Sequence, residues 1–353
     1  MSYKDGWAAL NLEMPARVPR TEYSLGYNHA LVSAISGIQI DENSPGELIS
    51  KANYQAMLKW NFDFMWNTLV GGQFYNGIGT NMGHAVYAND GSDLNRNVYS
   101  TFSGDPEEVY SLRPEEVFEN KTHGELVEMF SNAYKNACAA YPDAVNMTGT
   151  YTTVISGLLA LFGWELLLLA LGTDPERFGE LTNRYAGWMQ KFFDAMADSS
   201  AECIMIHDDM VWNEGAFIDP AWYRKYVFPN IKKYIAPLRE AKKKIIFTAD
   251  GNYTKFVDDL ADAGVSGFVM EPTTDMAYIA EKYGRTHSFI GNADTRVLMF
   301  GSREDIYNEV LRCMDTGKKC PGFFMAVGNH LSPNTPVANA LYYNEVYEKL
   351  SRR

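Results

Sequence analysis

Only four of the 353 residues are cysteines (Cys138, Cys203, Cys313 and Cys320), and none of them forms a CxxC pair. That excludes a disulfide framework and fits a reducing, cytoplasmic setting. Cys313 and Cys320 lack a histidine or second cysteine pair at zinc-site spacing, so they read as small buried hydrophobes. No strand-like run is followed by GxGxxG or a P-loop, so no nucleotide fingerprint is present. Nor is there a basic stripe. With a formal net charge of -13, the chain is a poor partner for nucleic acid or an anionic membrane surface. The opening MSYKDGWAALNLEMPARVPRTEY has no charged-then-apolar signal layout. No repeat, low-complexity tract or Pro/Ser-rich linker divides the chain, so residues 1–353 read as one domain.

One long apolar run needs a separate account. TVISGLLALFGWELLLLALG, residues 153–172, is about as long as a membrane span. Its glycines and Glu165 argue against a single span, and its flanks resemble a loop end and a capped helix start. It is expected to form two short buried helices, or an apolar cover over a pocket. No membrane partner is expected.

Hydrophobic residues make up 46% of the chain and charged residues 21%, enough for a large core. Short apolar runs alternate with helical patterns. Strands are predicted at 201–209, 243–250, 266–272, 287–294 and 322–330, with earlier ones at 62–68, 83–88 and 144–151. Helices are predicted at 124–141, 219–241, 252–264 and 302–317, most of them beginning near Asp, Asn or Ser. Continuous apolar strands alternating with helices imply a parallel sheet covered on both faces. About eight such strands make a (β/α)8 TIM barrel the economical α/β fold, with a doubly wound open sheet as the alternative.

In a barrel, chemistry gathers at the C-terminal ends of the strands. Those ends carry His207, Asp208 and Asp209, then Asp250, then Glu271, then Asn292 and Asp294, then Asn329 and His330. Asp250-Gly-Asn is either a helix cap or part of the site, and Asp294 either a turn former or a site residue. Of the Asp208–Asp209 pair, one is expected to face the pocket, with Trp212 beside it. FYNGIG (74–79) and GTYT (149–152) place Phe74 and Tyr151 where they could line a flat apolar pocket for a ring. Arg17 and Arg20 either hold a substrate carboxylate or form structural ion pairs.

The order HDDMVWNEGAFIDP, IIFTADGN, GVSGFVMEP, GNADTRVLMF and GFFMAVGNHLSPNTP resembles the uroporphyrinogen decarboxylase superfamily. The resemblance implies a (β/α)8 barrel with its pocket at the C-terminal mouth. It also implies one of two chemistries: decarboxylation of a porphyrinogen, or methyl transfer involving a corrinoid carried by a partner protein. The decarboxylases have an arginine-rich RQAGRY-type segment where this chain reads RVPRTEYSLGYNHA. The thiol-directed methyltransferases bind zinc through a His-x-Cys and a later Cys, where this chain has Thr248, Asp250 and Asn329. What remains resembles the branch that removes methyl groups from methoxylated aromatics, through RTEYS, WNTLVGG and TADGN…FVMEP.

That resemblance implies transfer of a methyl group from a small aryl methyl ether to the Co(I) corrinoid of a partner protein. His330, Asp250, Glu271, Asp208 and His207 are the candidate catalytic residues. Trp212, Tyr151, Phe74, Asn329 and Asn292 are the candidate substrate contacts. Asp250, Glu271 and His330 could hold a zinc that polarises the ether oxygen. Alternatively, His330 or a carboxylic acid with a raised pKa protonates that oxygen. A decarboxylase-like lyase and a non-catalytic tetrapyrrole- or corrinoid-binding protein are the competing readings. Whether the chain works as a monomer or a homodimer is not written in the sequence.

Overall fold

The computed structural model describes residues 1–81 and 99–353. Six parallel strands follow one another round a sheet in chain order. They are β1 (Thr148–Thr150), β2 (Cys203–His207), β3 (Lys244–Ala249), β4 (Gly267–Met270), β5 (Ser288–Ala293) and β6 (Phe323–Val327). Nearly every residue in them is buried, as expected for a parallel sheet covered by helices on one side and filled on the other.

Two further staves close the ring through single bridges. Arg20 bridges Phe62 on one side and Met325 of β6 on the other. Phe64 bridges Val145, and Val70 bridges Thr150 of β1. The backbone bonds agree: the Asp63 amide donates to the Arg20 carbonyl at 2.8 Å, and the Met65 amide to the Val145 carbonyl at 2.8 Å. Six strands and two bridged staves make the eight positions of a (β/α)8 barrel.

The strand expected at 62–68 is thus a bridged segment. The one expected at 83–88 lies outside the described residues. The stave around Arg20 was not expected, because RVPRTEY puts a proline and charges where a buried strand should be apolar. Pro19 has no N–H, but its carbonyl accepts the Met325 amide at 2.8 Å, so the ladder loses little.

The apolar run forms Val154–Thr173, broken at Gly163, whose φ of 69° and ψ of 171° are not helical. Two short helices were expected, and the kink supplies them. This helix is long and apolar enough to cross a membrane, yet 67% of its apolar window is buried inside the protein. It packs on Pro175–Asp198. The helix expected at 219–241 splits into Pro220–Tyr226 and Phe228–Glu240, with Pro229 in the first turn of the second piece. His123–Ala140 and Arg303–Gly317 each start with a capping box, Thr122 with Glu125 and Ser302 with Asp305.

Candidate active site

At the end of β2, the two-residue period of extended chain separates the three polar side chains. His207 and Asp209 turn to one side and Asp208 to the other. Asp208 is fully buried, and its Oδ1 accepts the Ile155 and Ser156 amides, each at 2.7 Å. It therefore anchors the first turn of the Val154–Thr173 helix, where a carboxylate also meets the positive end of the helix dipole. Burial pushes its pKa up to about 7, against those amides and His207. Asp208 does not line the cavity described below, so its expected catalytic role is corrected to a structural one. Asp209 is the member of the pair that faces the mouth.

His207 donates Nδ1–H to the Tyr151 carbonyl at 2.7 Å, and its Nε2 lies 3.0 Å from Asp209 Oδ1. The Tyr151 ring stacks on the imidazole, with centroids 4.0 Å apart and planes 12° apart. Both ring nitrogens face acceptors, which favours the imidazolium. Burial opposes that charge. Asp209, with Asp250 behind it, outweighs burial and pushes the His207 pKa up to about 9.

Asp209 Oδ1 also accepts the Asp250 amide at 2.9 Å. Next along, the Gly251 amide donates to Glu271 Oε2 at 2.7 Å, and Asn329 Nδ2 donates to Glu271 Oε1. Gly251 has a φ of +80°, and a Cβ there would lie 2.7 Å from the Trp212 carbonyl group, so glycine is required. Asn252, not Asp250, caps the following turn, its Oδ1 accepting the Thr254 amide. Asp250 is left facing the mouth, where water reaches it. Burial, then the nearby Asp209 and Glu271 carboxylates, push its pKa up to about 7.

A cavity of about 340 Å³ opens at this end of the barrel. Tyr23, Tyr27, Phe62, Trp66 and Tyr151 supply its aromatic wall, and Met57, Met65 and Met270 its thioethers. Glu22, His207, Asp250, Asn329 and His330 supply its polar groups. Among the described residues, no lysine or arginine lines it. Glu271 lines a second hollow alongside, which shares Asn329 and His330 with the first. Trp212, 50% exposed, lies outside the cavity, packed on Trp164 and Phe217 in a recess that also reaches Asp209 and Asp250.

Of the expected substrate contacts, Tyr151 and Asn329 reach the cavity. Phe74 does not: it is buried against Phe192, with ring centroids 5.0 Å apart. Asn292 is buried as a clamp, donating to the Glu271 and Thr274 carbonyls and accepting from Arg312. Asp294 caps Thr295–Phe300 and pairs with Arg296 at 2.6 Å. Tyr23, Trp66 and the two methionines at 57 and 65 were missed, because their segments carry no regular period. Glu22 was missed because an acid in RVPRTEY looks like a surface group.

The expected zinc set does not form. Among the described residues, no three His, Cys, Asp or Glu side chains are grouped so as to hold a metal ion. Both Glu271 oxygens are taken by Gly251 and Asn329, and His330 Nδ1 is taken by the Ser24 hydroxyl. The residues present do not fit a three-ligand site.

The arginines of RVPR are structural. Arg20, fully buried, bonds Glu22 Oε1 at 2.9 Å and lies over the rings of Trp60, Tyr343 and Tyr347. Arg17 bonds Asp63 at 2.6 Å and the Tyr347 hydroxyl at 2.8 Å.

A parallel eight-stave barrel with a cavity and titratable side chains at the C-terminal ends of its strands defines the (β/α)8-barrel class. Within that class the chain belongs to the Uroporphyrinogen decarboxylase (URO-D) family, whose model matches residues 80–350. It is 25% identical over 178 residues to the uroporphyrinogen decarboxylase of Pelobacter propionicus, covering 50% of this chain and 51% of the relative. It is 28% identical over 179 residues to that of Carboxydothermus hydrogenoformans, covering 50% and 49%. The chain thus matches about half the length of these curated relatives. A methyltransferase from Methanosarcina mazei shares its fold, with a TM-score of 0.66 over 99% of both chains at 16% identity.

Proposed function

We propose that the protein is a methyltransferase that moves the methyl group of a small methoxylated aromatic to the Co(I) corrinoid of a partner protein. The observation that carries this reading is the small aromatic cavity with Asp250 on its wall. At about 340 Å³ it lies near the lower end of ligand pockets, which run from about 300 to 1,000 Å³. Such a hollow suits one ring better than a tetrapyrrole. Removal of a methyl group from an aryl ether is hindered by the poor leaving group, the phenolate. The corrinoid supplies the electron pair for the new carbon–cobalt bond. The pair of the broken carbon–oxygen bond stays on oxygen. A carboxylic acid whose pKa lies near 7 is matched to protonating that oxygen, giving the phenol. Asp209, which accepts the Asp250 amide and is itself held by His207, fixes where the acid stands.

Decarboxylation of a porphyrinogen fits the site less well. A substrate fringed with carboxylates calls for cations, and Arg20 is occupied by Glu22. In the neighbouring hollow Arg296 is paired with Asp294, and Asn213, Asn329, Asn334, Ser332 and Thr273 set amides and hydroxyls beside Glu271. Amides and hydroxyls complement the amide-bearing edge of a corrinoid.

The test mixes the protein with a Co(I) corrinoid protein and a panel of methoxylated aromatics, and follows the spectrum of the methylated corrinoid. Methylation with wild type that is lost in Asp250→Ala supports the reading. Loss of carboxyl groups from uroporphyrinogen, with no methylation from any ether, replaces it with the lyase.

A further inference from the structure

We propose that a hollow at the end of the barrel opposite the mouth binds a small phosphate ester of a flat ring, of the nucleoside monophosphate kind. The phosphate sits on Lys242 and Lys244, and the ring lies against Tyr3 and Trp7. The site is outside the methyl-transfer reading and does not depend on it.

The helix Tyr3–Leu10 lies across the starts of the staves, so closely that a Cβ on Gly6 would fall 2.4 Å from the Asp63 carbonyl oxygen. Beside this helix, where β2 and β3 begin, is a hollow of about 640 Å³. Lys4, Lys242, Lys243 and Lys244 line it, against two acids, Glu13 and Glu202. In a chain of net charge -13 that is a local reversal of sign, and it draws anions. The six residues of β3, Lys244–Ala249, span about 20 Å, so an occupant here does not reach Asp250 at the mouth.

These lysines are not neutralised. Among the described residues none of the four forms an ion pair, although Glu13 and Glu202 share the wall. Glu202 instead accepts the Tyr134 hydroxyl at 3.4 Å. Lys243 gives one proton to the Ser199 carbonyl at 2.7 Å, while the Lys4, Lys242 and Lys244 side chains have no hydrogen bond. Lys244 is half-buried, yet its Nζ stays open to the hollow. Burial lowers its pKa, and the group that opposes this is the Cys203 thiol, itself kept neutral by burial. Charges withdrawn from water are normally paired, so an ammonium in this position is short of an anion. Ammonium groups are point charges with donors that turn freely, which suits phosphate. The planar fork that grips a carboxylate belongs to arginine, and no arginine lines the hollow among the described residues. The ring has its own ledge. Tyr3, 47% exposed, meets the half-buried Trp7 edge-to-face, with centroids 6.2 Å apart and planes 68° apart.

The test measures binding to the purified chain by calorimetry at pH 7, in a phosphate-free buffer of low ionic strength, with adenosine monophosphate, adenosine and inorganic phosphate. The monophosphate is expected to bind at least tenfold more tightly than either fragment, and to weaken as sodium chloride is added. Lys244→Met keeps the apolar stem and removes the charge. It is expected to weaken the monophosphate at least tenfold while leaving the Tm of the ligand-free protein unchanged or higher, because a half-buried cation without a partner is gone. Tyr3→Ala, at an exposed position, is expected to weaken the monophosphate three- to tenfold and to leave inorganic phosphate as it was. Unaltered affinity in Lys244→Met overturns the proposal, as does a wild type that binds no monophosphate at millimolar concentration. Inorganic phosphate as tight as the monophosphate overturns it too, since the ring then contributes nothing. The readout is binding alone, so the result is the same whether the methyl-transfer reading stands or falls.

Discussion

Asp208 and Asp250 are both aspartates with pKa values pushed up to about 7, and they do different things with it. Asp208 meets no solvent and touches only backbone amides through one oxygen; its Oδ2 has no partner. Its folded pKa lies above the ordinary 3.8, so its contribution to stability is fully present below about pH 4 and is lost as the pH rises through about 7. Asp208→Asn keeps an oxygen for Ile155 and Ser156 and removes the charge. Urea unfolding should show its stability declining less than that of wild type between pH 4 and 7, the remaining decline coming from Asp250, whose pKa is raised likewise. Asp208→Ala should cost about 1–3 kcal/mol at pH 5, because two buried amides lose their acceptor. Asp250, by contrast, faces the cavity, where the proposed reaction uses it as the acid. The methyl-transfer kcat should fall as the pH rises through about 7, where the acid gives up its proton. Asp250→Asn should lower kcat by about 10²–10⁴-fold and flatten that profile. A profile that stays sloped in the Asn variant assigns the proton to another group.

Elements place these residues through backbone chemistry. The strand β3 is followed by Asp250-Gly251-Asn252: Asp250 faces the cavity, Gly251 makes the left-handed turn and Asn252 caps the next turn. Only glycine allows the chain to pass within contact of the Trp212 backbone and still give its amide to Glu271. Gly251→Ala should destabilise the protein by about 1–3 kcal/mol. It should also lower kcat/KM well beyond what lost folding explains, because the Asp250 carboxyl moves with its neighbour. Unfolding midpoints and kcat/KM measured on the same preparation separate the two effects. At this scale much was legible beforehand. The apolar strands β2 to β6, the caps at Ser302 and the break in the apolar helix all follow from local pattern. The split at Val227 is written in Pro229, but the long amphipathic run around it hides the signal.

At the scale of the whole molecule, the barrel is closed by a stave whose central side chain is a buried arginine. Arg20 is neutralised by Glu22, which also accepts the Val327 amide of β6 and the Tyr343 hydroxyl. One ion pair therefore ties the start of the chain to β6 and to Val337–Leu350. Arg20→Met strands the Glu22 carboxylate in the interior and should cost about 3–5 kcal/mol, read as a lower urea midpoint. Adding Glu22→Gln should recover part of that loss, since the pair can be replaced by neutral groups. A double variant no more stable than the single one places the cost in lost ring packing instead. Periodicity and strand-end chemistry, both local properties, determined the barrel, the direction of its mouth and the presence of His207, Asp250, Asn329 and His330 there. The tertiary structure alone decided that Asp208 turns away to hold backbone amides while Asp209 pairs with His207, that Asp250, Glu271 and His330 are not grouped as a three-ligand set, and that Tyr23 and Trp66 line the cavity. Those are matters of which way a side chain turns and what occupies the space opposite. Distances between residues far apart in the chain are set only when the ring closes.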